Sequence, residues 1–325
     1  MRLGTIYNSA SGPSNEDCCF IGHRFVEEWG FKPDTGESWV LHASPPAAGE
    51  EEGQVTLLFG VAGWFTGLWR SPAGWVYVAD AAGKVHLQRD VARHGTDPDR
   101  WEEFTFDAVM LGVWGLNDQF VLAWGKIGKE GRMYRWDGAR WSAMPAPGPH
   151  VHSVHGIAPD VIYAAGADGL LARWDGTAWH RIVVPTPEDL TAVFAASEDE
   201  AYAVGNAGVV LGGSTHGWGK IAQGPGPLHG VAKFKGELWI GAGELGLLRR
   251  HGNTRRLVKA KANIHAHEFE AREQLVMSCP GKICGTEDGK DFSSVCEGFL
   301  AEALRHRRPL WMEPSAPWPP EDDEE

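Results

Sequence analysis

Two seven-residue segments of the chain are almost identical, and their spacing limits the folds that the chain can adopt. The first is RWDGARW at residues 135–141, and the second is RWDGTAW at residues 173–179. Glycine reaches the positive φ angles of a tight hairpin without steric cost. Weaker versions of this turn recur every 35 to 43 residues, at His94-Gly95, Asp137-Gly138, Asp175-Gly176, His216-Gly217, His251-Gly252 and Asp288-Gly289. The chain is therefore predicted to repeat one β-hairpin unit at a nearly fixed period.

A second column of residues precedes each of these turns and completes the repeating unit. Its members are Leu68, Val113, Val154, Val193 and Val231, and each is followed by a short β-type run such as QFVLAWG or DVIYAAG. The unit then contains four strands in about 40 residues, which is the size of one blade of a β-propeller. Six such units are predicted, at residues 66–107, 108–149, 150–187, 188–225, 226–262 and 263–299.

Residues 1–65 and the C-terminal segment decide the number of blades. Strand-like runs at 18–26, 37–42 and 54–61 predict an N-terminal blade over 1–65. We therefore predict an all-β fold, a single β-propeller of seven blades with four antiparallel strands each, six blades being the alternative. The segment 300–308 is expected to close the ring by pairing with the N-terminal segment, through a strand within 300–312. Residues 297–307 also show a helical apolar stripe. The Pro/Trp/acidic tail at 309–325 is predicted to be disordered.

Composition excludes several classes of protein. The formal net charge of −13 disfavours general binding of nucleic acid. No run of about 18 apolar residues predicts a membrane-spanning helix. The first residues do not form a secretory leader, and the five cysteines are an odd number. We therefore expect a cytoplasmic protein with reduced thiols and no membrane association.

The RWDGxxW units resemble those of bacterial tandem-repeat propellers that carry a V-W-G…A-V-G…W-D-G-x-x-W pattern. They are also similar to the Asp-box, or BNR-type, repeat. The segment GTEDGKDF at 285–292 has Asp288, Gly289 and Phe292 at the matching places. The resemblance covers about residues 110–299, although His216 and His251 replace the aspartate in two units. It implies a propeller in which the box is a structural turn, so it indicates fold rather than activity.

Catalytic signatures are missing from the sequence. It contains no G-x-S-x-G nucleophile elbow, no Walker-type phosphate loop and no dinucleotide-binding glycine motif. A sialidase would need an arginine cluster and a tyrosine nucleophile, and the repeat itself accounts for most of the five tyrosines. The sequence therefore favours a protein that is not an enzyme, and no cofactor is predicted beyond the metal considered next.

Histidines near the predicted first strands are the main chemical signal. Because first strands surround the axis of a propeller, their histidines could converge at the mouth of the channel and hold a divalent metal. The candidate ligands are His150, His152, His229, His265 and His267. The corresponding alternative function is a metal-dependent lyase or hydrolase, and the competing interpretation is that these histidines are packed between blades.

The leading functional hypothesis is a protein-binding or scaffolding propeller, because such a fold presents a wide rigid face of loops. The expected partner is a protein, and a bacterial toxin or effector that the propeller neutralises is one specific version. Two features could contact that partner: a basic stretch and the tryptophans of the tail. The candidate contact residues are Arg249, Arg250, Arg255, Arg256, Trp311 and Trp318.

Overall fold

Seven antiparallel sheets of four strands each form a closed ring in the computed structural model, which describes residues 2–30, 32, 35–46, 49, 50 and 53–313. The protein is thus an all-β, seven-bladed propeller, as predicted. The alternative of six blades is wrong, because the N-terminal residues form a complete sheet of their own. Within each blade the strands follow the chain from the innermost to the outermost position.

The strands of the first four blades have the following bounds. Blade 1 contains β1 (Leu3–Ser11), β2 (Cys18–Val26), β3 (Gly36–Ser44) and β4 (Gln54–Ala62), and blade 2 contains β5 (Phe65–Arg70), β6 (Val76–Asp80), β7 (Lys84–Gln88) and β8 (Glu102–Thr105). Blade 3 contains β9 (Val109–Asn117), β10 (Phe120–Ile127), β11 (Glu130–Trp136) and β12 (Trp141–Met144), and blade 4 contains β13 (Val151–Ala158), β14 (Val161–Gly166), β15 (Leu170–Trp174) and β16 (Trp179–Arg181).

The remaining blades and the two short α-helices complete the fold. Blade 5 contains β17 (Leu190–Ser197), β18 (Glu200–Gly205), β19 (Val209–Ser214) and β20 (Gly217–Gln223), and blade 6 contains β21 (Gly230–Phe234), β22 (Glu237–Gly241), β23 (Leu247–His251) and β24 (Val258–Lys261). Blade 7 contains β25 (Glu268–Ala271), β26 (Leu275–Cys279), β27 (Lys282–Thr286) and β28 (Ser293–Val295); the helices are α1 (Val91–His94) and α2 (Phe299–Leu304). Within the described residues, no helix is long and apolar enough to cross a membrane.

The ring has two faces, which we name by the connections that they carry. The upper face carries the connections that enter each innermost strand and the turns between the second and third strands. The lower face carries the other two kinds of turn, including the RWDGxxW turns. The five boundaries predicted between successive repeats, from 107/108 to 262/263, fall in connections of the upper face, whereas the first repeat was predicted to begin at residue 66, one residue inside β5.

The aspartates of the repeat stabilise the lower-face turns directly. One carboxylate oxygen of Asp137 accepts hydrogen bonds from the backbone N–H groups of residues 139 and 140, at 3.0 and 2.9 Å. Asp175 and Asp288 each accept the same two bonds, from the backbone N–H groups two and three residues later in their own turns. These bonds satisfy backbone donors that the reversal of the chain leaves without partners in the sheet. In each RWDGxxW unit the two tryptophans are cross-strand partners beside the turn.

The hydrophobic core is divided among the gaps between neighbouring blades. Tyr77 and Trp136, for example, are completely buried in a cluster formed by blades 2 and 3. Burying a large aromatic or aliphatic side chain contributes about 2–3 kcal/mol. Because both faces of each sheet are covered in this way, the alternating polar pattern of a half-exposed sheet is absent from the inner strands.

The predicted closure of the ring by strand pairing is wrong. Blade 1 is complete with four N-terminal strands, of which β1 was not predicted, and residues 299–304 form a helix rather than a strand. The helix still closes the ring, because Leu300 packs over Gly22, where an added Cβ would lie only 2.6 Å from the leucine. Tyr7 donates a hydrogen bond to the carbonyl of Cys296 at 2.8 Å and accepts one from the N–H of Leu300.

The tail was predicted to be disordered from residue 309 onward. Residues 309–313 are described and lie against blade 1, since Leu310 donates its backbone N–H to Glu37. Residues 314–325 lie outside the described part of the chain.

Candidate functional site

The innermost strands of the seven blades line a central channel with a volume of about 180 Å³. These strands are linked across the gaps between blades by side chains that bond to the neighbouring backbone. Ser11 accepts a hydrogen bond from the N–H of Arg70 at 3.0 Å, and His155 Nδ1 accepts one from the N–H of Ala195 at 3.1 Å. The two bonds are equivalent, so they identify the same layer of the channel wall in different blades.

We call this layer the lower layer, and it differs sharply from one side of the ring to the other. Blades 2 to 5 contribute an unbroken series of aromatic and imidazole rings, whereas the other three blades contribute small or polar residues. In the order of the blades, its members are Ser11, Trp69, Trp114, His155, Phe194, Ala232 and Glu270.

A second layer, which we call the neck, lies two residues earlier in every inner strand. All seven of its residues line the channel, and six of them are glycine, alanine or serine: Ser9, Gly67, Gly112, Ser153, Ala192, Gly230 and Glu268. Blade 7 alone therefore places a charged side chain in the neck.

The two glutamates of β25 have different surroundings. Glu270 accepts a hydrogen bond from Ser11 at 3.1 Å and forms an ion pair with Arg272 at 2.9 Å. Glu268 is exposed to the channel, and partial desolvation by the surrounding wall raises the pKa of its carboxyl, although a hydrogen bond with Ser9 opposes the shift. Sequence reasoning missed both glutamates. Aligning the seven inner strands would have revealed Glu268, because it breaks a column of small residues.

Three of the predicted histidines line the upper part of the channel, which agrees with the prediction that first strands surround the axis. The rings of His229 and His267 are stacked with their centroids 4.7 Å apart. Burial lowers the pKa of both, and His229 and His265 lower that of His267 further. His152 places its Nδ1 3.2 Å from the carbonyl of Leu190.

The other two predicted metal ligands, His150 and His265, are not part of the channel lining. Among the residues that the structure describes, no three side chains of histidine, cysteine, aspartate or glutamate are arranged to hold a metal ion. The prediction of a divalent metal thus rests on the stacked pair of His229 and His267 alone.

The basic stretch of blade 6 is only partly exposed. Arg250 is buried and donates to the carbonyl of Thr254. Arg249 lies over the ring of Trp239 at 5.7 Å and near Glu237. Arg255 and Arg256 are exposed at the lower edge of the blade. The arginines predicted to contact a partner are therefore divided between the interior and the surface.

The two tail tryptophans are not brought together with these arginines. Trp311 is partly buried, and its ring lies 5.9 Å from the guanidinium of Arg24 in blade 1. Trp318 lies outside the described residues.

Exposed apolar side chains are concentrated on the upper face. Eight large apolar residues are exposed among those described, and five belong to upper-face connections or to the adjoining strand ends: Trp29, Val109, Ile127, Val183 and Leu245. Val183 is 91% exposed, although most valines of the chain are in the core. Sequence reasoning missed this face, because the five residues share no spacing.

Prolines border the same face. Three successive connections that enter inner strands contain Pro-x-Pro sequences, within 145–149, 185–187 and 225–227. Proline fixes one backbone angle and lowers the entropy that a loop loses when it is ordered by a partner. Leu245 lies over the third connection, 3.0 Å from the position that a Cβ on Gly226 would occupy.

Comparisons with solved structures agree with this architecture. The WD40 β-propeller domain of Doa1 is similar over 89% of this chain and 92% of its own, with 8% identity and a TM-score of 0.63. A structure of YCF48 bound to D1 peptide is similar over 88% and 92%, with 12% identity and a TM-score of 0.58. PorZ of Porphyromonas gingivalis is similar over 90% of this chain but 39% of its own, with 10% identity and a TM-score of 0.59. At these identities the likeness shows the fold alone. No protein-family model and no curated protein matches the sequence.

Proposed function

We propose that this propeller binds a protein partner through its upper face. The observation that carries the proposal is the concentration of five of the eight exposed large apolar side chains on that face. Exposed apolar side chains beside rigid loops are surfaces that a protein partner can desolvate. The likeness to propellers described as WD40 domains, and to one described with a bound peptide, supports a binding role.

The narrower predictions belong to the same proposal. Neutralisation of a bacterial toxin or effector rests on the resemblance of the repeats, and a cytoplasmic location agrees with five buried free thiols. We also infer that the repeats are of the Asp-box type, since Asp137, Asp175 and Asp288 cap equivalent turns.

A capture experiment with matched variants tests the binding face. The wild-type protein and the triple variant Ile127→Ser, Val183→Ser, Leu245→Ser are used to capture partners from the native host, and bound proteins are quantified by mass spectrometry. The control is Ile157→Ser, because Ile157 has nearly the same exposure as Ile127, 39% against 37%, but lies on the lower face. We expect the partner to be lost from the triple variant only.

Two outcomes would contradict this proposal. One is a stoichiometric partner that remains bound to the triple variant, whether or not the Ile157→Ser control also retains it. The other is the absence of any partner from the wild-type captures. Circular dichroism of each variant verifies that the fold is retained.

A further inference from the structure

The neck of the channel contains one carboxylate in a ring of small side chains. Six blades contribute glycine, alanine or serine at this level, and blade 7 contributes Glu268. The small residues leave open space in front of the carboxylate, and no lysine or arginine is among the residues that line the channel. The structure therefore places a negative charge next to a cavity whose described walls contain no cation.

The carboxyl of Glu268 is exposed to the channel. The protein around the channel raises its pKa by partial desolvation, and a hydrogen bond with Ser9 opposes that shift. Among the described residues Glu268 forms no ion pair, in contrast to Glu270 with Arg272. Partial desolvation disfavours the charged form of this carboxyl, and a cation beside it would favour that form.

The opposite part of the wall suits an organic cation. Trp69, Trp114 and Phe194 line the channel with His155 between them, and the His155 ring lies 5.6 Å from that of Trp114 and 4.4 Å from that of Phe194. The faces of aromatic rings carry partial negative charge and attract ammonium groups. A divalent metal would instead require several oxygen or nitrogen ligands, and the described residues do not provide three together.

We propose that the central channel binds a small organic ammonium ion, with Glu268 as the counter-ion and the aromatic part of the lower layer as the wall. The volume of about 180 Å³ corresponds to about six water molecules. Tetramethylammonium and short diamines have the size that this space accepts, whereas tetrabutylammonium does not. The inference is independent of the proposed protein partner, because it requires only the channel.

Isothermal titration calorimetry at pH 7.5 and constant ionic strength tests the proposal with tetramethylammonium chloride and with putrescine dihydrochloride. Sodium chloride, calcium chloride and tetrabutylammonium chloride serve as comparison ligands. We expect at least one of the two small ammonium ions to bind with a stoichiometry of one. The comparison ligands should give no saturable heat.

Variants locate the binding site. Glu268→Gln should weaken binding by at least about tenfold, because it removes the charge of the counter-ion. The same variant should raise the melting temperature of the ligand-free protein at pH 7.5, which a merely structural glutamate would not do. The control is Glu16→Gln, which removes an exposed charge from an acidic pocket of the lower face. Ala192→Leu fills the neck from another blade and should also abolish binding.

Any of three results would overturn the proposal. The first is that neither small ammonium ion binds to the wild-type protein. The second is that sodium or calcium ions give the same saturable signal. The third is that Glu268→Gln binds as tightly as the wild type, or that binding is lost in Glu16→Gln, which would place the cation at the surface.

Discussion

Arg24 Nη2 lies 2.7 Å from Glu37 Oε1, and both side chains are almost completely buried. The pair holds the C-terminal segment against blade 1. Arg24 Nη1 donates to the carbonyls of Leu304 and Arg307, at 2.6 and 3.0 Å. The second oxygen of Glu37 accepts the N–H of Leu310 at 2.5 Å. One buried ion pair therefore joins the two ends of the chain, where the sequence had predicted a shared strand.

Replacing Glu37 should destabilise the protein strongly. Glu37→Gln leaves the guanidinium of Arg24 buried without its counter-charge, and such losses cost about 3–5 kcal/mol. The exposed pair of Arg89 and Glu102 provides the control, since Glu102→Gln should cost less than about 1 kcal/mol. Urea denaturation measures both values. Equal losses in the two variants would contradict the role assigned to the buried pair.

Gly112 is required by close packing in the channel wall. A Cβ added at this position would lie 2.2 Å from the indole of Trp124, so Gly112→Ala forces a shift in a packed ring. We expect the free energy of unfolding to fall by about 1–3 kcal/mol. Gly219→Ala is the matched control, because a Cβ there meets nothing within 4 Å. Thermal denaturation compares the two, and an equally stable Gly112→Ala protein would refute the expectation.

Two histidines, His23 in the core and the partly buried His155, make stability depend on pH. Burial lowers the pKa of His23 to about 3 and that of His155 to about 4. In the unfolded chain both histidines have a pKa of about 6.5. Below that pH the unfolded state therefore binds more protons than the folded state. The free energy of unfolding should therefore be highest above about pH 6.5. As the pH decreases below that value, it should fall by up to about 1.4 kcal/mol per pH unit for each histidine.

The variant His155→Asn isolates one of these contributions. It keeps an acceptor near the N–H of Ala195 but does not titrate. Urea denaturation at pH 7.0, 5.5 and 4.5 should show a smaller loss of stability for the variant than for the wild type. Identical losses over this range would show that His155 does not titrate on unfolding.

The thiols should be unreactive in the folded protein. All five cysteines are free and buried, and burial raises the pKa of Cys19 and of Cys296 to about 12. Because the thiolate is the reactive form, we expect almost no reaction with Ellman's reagent under native conditions. All five should react after denaturation. Fast labelling of the native protein would show that at least one thiol reaches solvent.

The repeat predicted most of the fold, because the recurring turn motif gave the length of the repeating unit. That length is the length of one four-stranded blade. The strand-like runs at 18–26 and 54–61 correspond to β2 and β4. β1 was missed because it lies outside the repeats and alternates weakly. Its pairing with β2 also shifts register between Tyr7 and Ala10. The C-terminal closure was missed because a buried ion pair between distant residues leaves no local pattern.

The candidate sites were less predictable, because they depend on which surfaces meet in space. Arg249 and Arg250 are neighbours in the sequence, but alternate residues of β23 point in opposite directions, so one is partly exposed and the other buried. The apolar upper face combines residues from blades 1, 3 and 6 and from the connection between blades 4 and 5. Such a face follows from the ring and not from any one repeat.

Hydrogen–deuterium exchange of the protein with its captured partner tests binding through the upper face most directly. We expect exchange to slow on complex formation in the upper-face connections at 182–189 and 224–229. In the lower-face turns at 137–140 and 175–178 we expect no change. Slower exchange in those turns, with the two connections unaffected, would contradict the proposed binding face.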